Sequence, residues 1–230
     1  ALVSRALDFG AETIIAPMIN DADDARRFAA GAKYPPSRER SWGSVRAGET
    51  VYAAWCMMGS TMVAETIAGE GFSAIVLDAQ HGLWDVASII TGIGAVSHAE
   101  ATPGVRIPLN DLALVSRALD FAAKATIAPM INHADDARRF AAAAKYPPSG
   151  ERSWGPLRAM ALHAPRTAPA DYLREANVGT LTFAMTETAT ALGNVDKIAA
   201  TPGIDGLFVG PYDLATALSA GKAQDTQAPQ

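Results

Sequence analysis

Cysteine is nearly missing from this chain: Cys56 is the only one in 230 residues. An intramolecular disulfide is therefore impossible, a cysteine-bound metal cluster is excluded, and a reducing, cytoplasmic setting is expected. Long apolar runs are also missing. None reaches the ~18 residues that a membrane-spanning helix needs, and the first residues read as a helix carrying Arg5 and Asp8 rather than as a signal peptide. No basic stripe stands out and the formal charge is −5, which argues against a nucleic-acid partner. No glycine-rich phosphate loop is present. What is abundant is apolar residues in short runs, 49% of the chain, enough for a sizeable core.

The chain opens on "ALVSRALDF", and the same nine letters return at Ala113. Residues 1–43 and 113–155 differ at only seven of 43 positions, 10, 12, 13, 14, 21, 31 and 38. Solenoids repeat many times at periods of ~20–50 residues; here two copies flank a stretch that matches neither. The pattern reads as the duplication of one segment. Each copy spells helix, strand ("TIIAPMI" or "ATIAPMI"), helix and a proline-rich loop. In the first copy the helices are expected at Ala1–Phe9 and over "DADDARRFAAGAK", capped by Asn20 or Asp21.

From Thr50 onward, apolar strands alternate with helices. The strands are "VYAAWCM", "FSAIVLD", "GVRIP", "ATIAPMI", "GTLTFAM" and "IDGLFVG". The helices are "STMVAETIAGEG", "LWDVASIITGIGAVSHA", "NDLALVSRALDFAAK", "HADDARRFAAAAKY", "APADYLREAN" and "ETATALGNVDKIAAT". Continuous apolar strands joined through helices mean parallel pairing with covered faces. The expected fold is α/β, a TIM (β/α)₈-type barrel that is incomplete or rearranged: six strands follow Thr50, the duplicate adds a seventh, and a closed barrel needs eight. Residues 1–43 are read as the duplicated segment and 44–230 as the barrel domain lacking its last strands. The stretch 146–168 reads as one long loop.

Residues just past the carboxyl ends of parallel strands face the site. Those positions hold Asp78, Gln80 and His81, then Arg106, then Asn132 and His133, then Glu187, then Tyr212 and Asp213. Glu187 and Asp213 are one βαβ unit apart, and neighbouring strands lie ~4.8 Å apart. Both carboxylates can then reach one point, a donor pair suited to Mg²⁺ or Mn²⁺ rather than zinc. The alternative is that each acid caps the helix that follows it. His81 beside Asp78 reads either as a proton-transfer group or as a hydrogen-bonded histidine at a helix start. Arg106, charged inside an apolar strand, needs an anion, which a substrate or a structural carboxylate can supply. Trp84 and the methionines read as core.

Together "FSAIVLDAQHG", "VRIPLND", "TIAPMINHADDARRFAAAAKYPPSGERSWG", "FAMTET" and "GIDGLFVGPYDLA" resemble the HpcH/HpaI family of metal-dependent class II pyruvate aldolases, from about Arg46 to about Leu218. The resemblance implies a (β/α)₈ barrel and a homo-oligomer, a hexamer in the family. It implies a divalent cation (Mg²⁺ or Mn²⁺, with Co²⁺ as a further candidate) on Glu187 and Asp213. It assigns Arg106 to the keto oxygen of pyruvate, His81 to proton transfer and Asp78 to the acid beside it. Asp120 matches a carboxylate supplied to the histidine across a subunit interface. Gln80, Tyr212 and Asp213 join Arg106 around the substrate. The implied reaction makes or cleaves 4-hydroxy-2-oxoacids from pyruvate and an aldehyde, through a metal-stabilised enolate and without a Schiff-base lysine.

Three departures stand out. Many members carry Glu where Gln80 stands and Gln where Met185 stands, and the last strands and helices are missing. A citrate-lyase-like C–C lyase, a phosphoenolpyruvate mutase relative, and a rearranged, inactive oligomeric chain are the competing readings. Gly10 stands where the second copy has Ala122, and glycine suits a left-handed helix end better than alanine. The first copy is expected to pack beside Tyr52, in the vacated place of an eighth strand.

Overall fold

The computed structural model describes residues 13–19, as backbone, and 51–222. Seven parallel strands form one sheet in the order of the chain: β1 (Thr13–Ile19), β2 (Val51–Cys56), β3 (Ala74–Asp78), β4 (Thr102–Arg106), β5 (Ala125–Ala128), β6 (Leu181–Thr186) and β7 (Gly206–Val209). β3, β4 and β5 are buried along their whole length, the signature of strands covered on both faces. Among the described residues β1 and β7 are the two edges, so the barrel is open.

β1 pairs with β2 in parallel, with Ile14 opposite Tyr52. That edge, beside the first strand of the main body, is the place an eighth strand takes in a closed barrel. The register breaks between Ala16 and Ile19, where Pro17 has no N–H to give to the ladder. Its twin Pro129 lies just past the end of β5 for the same reason. The two helices expected in residues 1–43 lie outside the described residues.

The helices follow the strands. Ser60 caps α1 (Thr61–Gly69) by accepting from the Val63 N–H. α2 (Val86–His98) begins three residues later than its apolar pattern suggested, because Asp85 and Ser88 form a reciprocal cap there. Asp111 caps α3 (Leu112–Asp120). α3 ends with Ala122 at φ 88°, and the Ala123 N–H reaches back to Ala118 O. The left-handed helix end anticipated from Gly10 is therefore real, and alanine holds it at a cost. α4 (Ala134–Ala144) follows β5. The expected loop 146–168 contains a short helix, α5 (Leu157–His163), ahead of α6 (Pro169–Gly179). The helix expected over "ETATALGNVDKIAAT" is two five-residue helices, α7 (Ala189–Gly193) and α8 (Val195–Ala199), broken at Asn194. α9 (Pro211–Leu218) follows β7.

Two apolar layers result. Between sheet and helices lie Ile67, Ile75, Leu77, Ile89, Ile93, Leu119 and Phe140. Each side chain of this kind contributes about 1.5–3 kcal/mol on burial. Inside the curled sheet lie Trp55, Val76, Ile127, Leu181 and Met185, with Phe183 and Phe208 packed on them. Outward residues of the β7 edge stay wet: Val209 is 56% exposed.

At the amino ends of the strands Lys145 is the clamp. Its Nζ donates to Asp205 Oδ2 (2.7 Å), Thr180 O (2.9 Å) and Asn177 O (3.0 Å), and the same Asp205 oxygen accepts from the Thr182 N–H. One buried ammonium thus ties α4, α6, β6 and β7 together. Lys145→Met takes this cation away from the Asp205 carboxylate and from two carbonyls, and should cost about 3–5 kcal/mol. A urea unfolding midpoint equal to that of the parent chain would refute this.

Candidate active site

The side chains that point into the carboxyl end of the sheet begin with Asp78 and Arg106, opposite each other in the β3–β4 register. Arg106 donates Nε–H to Asp78 Oδ1 at 2.8 Å and Nη2–H to Asp78 Oδ2, a two-pronged pair. Asp78 is fully buried. It also accepts from Trp55 Nε1 (3.0 Å) and from the backbone N–H groups of Gln80 (3.0 Å) and His81 (3.2 Å). Burial alone would push its pKa up; the hydrogen bonds and charge of Arg106, with those other donors, outweigh it and hold the carboxyl below its ordinary value. Asp78 is thus committed to Arg106 and to the backbone of the "DAQH" turn. The His81 side chain is left exposed at the mouth. Gln80 is half-buried and its side-chain oxygen is buried.

Glu187 follows β6 and is 2% exposed. Its Oε2 accepts from the Met130 N–H at 2.8 Å. Met130 is held at φ 57°, a left-handed conformation that costs a non-glycine residue about 1–2 kcal/mol. Asp213 lies in the first turn of α9, near enough for its charge to act on Glu187. Burial raises the Glu187 pKa most; the Met130 N–H opposes it, the Asp213 charge adds to it, and Arg106 opposes again. Gly210 makes room for the pair, since a Cβ there would stand 2.7 Å from Glu187 Cγ. Tyr212, beside Asp213, is 56% exposed.

The donor chemistry fits a hard divalent cation. A second carboxylate nearby raises the cost of ionising Glu187, and a dication relieves it. Among the described residues no three His, Cys, Asp or Glu side chains converge on one point. A cation on Glu187 and Asp213 would complete its shell with water or a chelating ligand.

The HpcH/HpaI aldolase/citrate lyase family model matches residues 52–228. The chain belongs to this family. Its relatives include a hydroxypyruvate/pyruvate aldolase of Agrobacterium fabrum, 34% identical over 181 residues, 79% of this chain and 67% of that protein. A 4-hydroxy-2-oxovalerate aldolase of Novosphingobium aromaticivorans is 37% identical over 176 residues, 75% of this chain and 64% of its own length. A crystal structure of an HpcH/HpaI aldolase/citrate lyase family protein from Burkholderia cenocepacia J2315 superposes with a TM-score of 0.69 at 34% identity, covering 78% of this chain and 70% of that one. The chain thus spans about two thirds of the length of the curated relatives it matches.

Measured against its family expectations, the chain gathers Asp78, Arg106, Glu187, Asp213, Gln80, His81 and Tyr212 at one rim. Asp120 is elsewhere. α3 runs from the carboxyl end of β4 back to the amino end of β5, which places Asp120 at the opposite end of its own sheet. There it accepts from Arg152 at 2.6 Å. Asn132 and His133 serve structure: their backbone N–H groups donate to Asp136, and Asn132 Oδ1 accepts from the Thr188 hydroxyl.

Sequence reading missed three contributors. Trp55 binds both members of the Asp78–Arg106 pair, Met130 acts through its backbone, and Gly210 acts by lacking a Cβ. Trp55 alternates inward with Ala53 on β2, a signal that was readable. The other two depend on backbone geometry.

A raised carboxyl pKa has a stability consequence of definite sign. Folding favours protonated Glu187, so its contribution is complete below the ordinary value of 4.5 and is lost as pH rises through the raised one. In chelator-treated protein, Glu187→Gln should therefore melt higher than the parent chain at neutral pH and together with it in acid. Melting curves that stay parallel across that range would contradict the raised pKa.

Proposed function

We propose that this rim is a class II pyruvate aldolase site, making or cleaving 4-hydroxy-2-oxoacids from pyruvate and an aldehyde. The observation that carries the reading is a pair of carboxylates at one rim, Glu187 and Asp213, with an arginine that Asp78 holds in place near enough for its charge to act on Glu187. A divalent cation on the two carboxylates, Mg²⁺ or Mn²⁺ with Co²⁺ also suited, would draw electron density from a bound 2-oxoacid and acidify its C3 protons. Every other role belongs to the chain itself. Arg106 has N–H groups left over from Asp78, and these donate to the 2-oxo oxygen as negative charge grows on it. The backbone at Tyr212 and Asp213, at the start of α9, receives the substrate carboxylate. Gln80 lies at the same rim, where it bears on the substrate. His81 moves a proton between solvent and either C3 or the C4 hydroxyl oxygen.

Asp120 sits too far from His81 in its own chain to act on it, so in this proposal it comes from a second copy. The active form is then a homo-oligomer. Aldolase names among relatives at 34–37% identity support the reaction class. A cytoplasmic setting belongs to the same proposal, supported by a single, buried cysteine; no helix among the described residues is long and apolar enough to cross a membrane.

The test is loss of the pyruvate methyl signal by NMR in deuterated water with Mn²⁺ or Mg²⁺. The parent chain should exchange these protons only with metal present. Glu187→Ala should abolish exchange, and Arg106→Lys should slow it about 10²–10³-fold. A well-folded parent chain that exchanges nothing with metal present overturns the proposal.

A further inference from the structure

We infer that Trp55 is the positioning residue of this site: it fixes the Arg106 guanidinium against Asp78 so that the arginine's remaining N–H groups face the mouth. This rests on the function proposed above. Trp55 is 6% exposed and lies on β2, two strands away from Arg106 on β4. Three contacts meet on its indole. Nε1–H donates to Asp78 Oδ2 at 3.0 Å. The Arg106 guanidinium stacks over the ring, 4.8 Å from its centroid. The Phe208 ring from β7 approaches to 5.3 Å at an interplanar angle of 34°.

These contacts remove two separate freedoms. Asp78 alone holds Arg106 by one edge and leaves the guanidinium plane free to swing about that edge. The indole face closes the swing by cation–π attraction, which strengthens in a desolvated site. The indole N–H meanwhile takes up the carboxylate oxygen that Arg106 Nη2 shares, which holds the carboxylate to one rotamer. Phe208 backs the indole from across the curled sheet. The backbone of Trp55 is fixed as well, because β2 is paired on both sides: Ala54 to Ala16 and Cys56 to Ile19 of β1, and Trp55 to Val76 of β3. A tryptophan meant only to fill the interior would need neither its N–H on a carboxylate nor a cation on its face.

Two variants separate the contributions. Trp55→Phe keeps a ring face and loses the N–H; Trp55→Leu loses both. For pyruvate methyl exchange, kcat should fall about threefold in Trp55→Phe and about thirtyfold or more in Trp55→Leu, with KM changing less than about threefold. Solvent exchange of the Arg106 Nε–H, followed by ¹⁵N NMR in metal-free protein, should quicken in the same order. That second measurement needs no turnover. If the parent chain exchanges no pyruvate protons, the aldolase reading fails while the Arg106 signal still decides the role of Trp55. If Trp55→Leu does not fold, the quickening in Trp55→Phe decides it. Unchanged Arg106 exchange in a folded variant, or a lower melting temperature with kcat per folded chain preserved, overturns the inference and leaves Trp55 as packing.

Discussion

A guanidinium inside a parallel sheet is the constraint on which this molecule's site depends. Arg106 is 8% exposed at the end of β4, and an unpaired charge there would cost several kcal/mol. Asp78 answers it from the neighbouring strand in direct register. Much else follows from that pair. The carboxylate takes up the N–H groups of Gln80 and His81 and so folds the turn that presents them. Its remaining valence goes to Trp55, which binds a third strand to the pair. Breaking the pair would release a turn, a strand end and a charge together.

The two ends of the sheet divide their work. At the amino ends Lys145, Asp205, Thr180 and Thr182 satisfy one another, and the clamp joins four elements. At the carboxyl ends the terms are unfavourable in isolation: a buried carboxyl raised in pKa, a second acid beside it, and Met130 in a left-handed conformation. Chemistry at the carboxyl rim and stabilising contacts at the amino end is the usual division in parallel α/β folds. The buried acid and the left-handed Met130 lie at the rim where the proposed chemistry lies.

The duplication shows how far context overrides sequence. Nearly the same seven-residue text gives the four-residue β5, hydrogen-bonded between β4 and β6, and the seven-residue β1, which among the described residues is an edge strand paired with β2. Propensity cannot distinguish these fates, because the local preferences are almost identical. What differs is the neighbour that each segment meets. β2 has an open side, and a strand former tethered just before it fills that side.

The residue pattern by itself determined the class of fold, the order of the strands and most of the rim. Alternating apolar runs and caps such as Ser60 and Asp111 carry strand and helix identity locally, and the topology of parallel folds sends strand-end residues such as Asp78, Glu187 and Asp213 to one face. The break at Asn194 and the short helix α5 were not legible, since five- to seven-residue helices owe their limits to packing rather than to period. Only the tertiary structure decided that Asp78 serves Arg106, that Trp55 braces both, that Met130 offers its N–H to Glu187, and that Asp120 lies at the far end of its own sheet. Those facts depend on distances between residues remote in the chain, and no local preference encodes them.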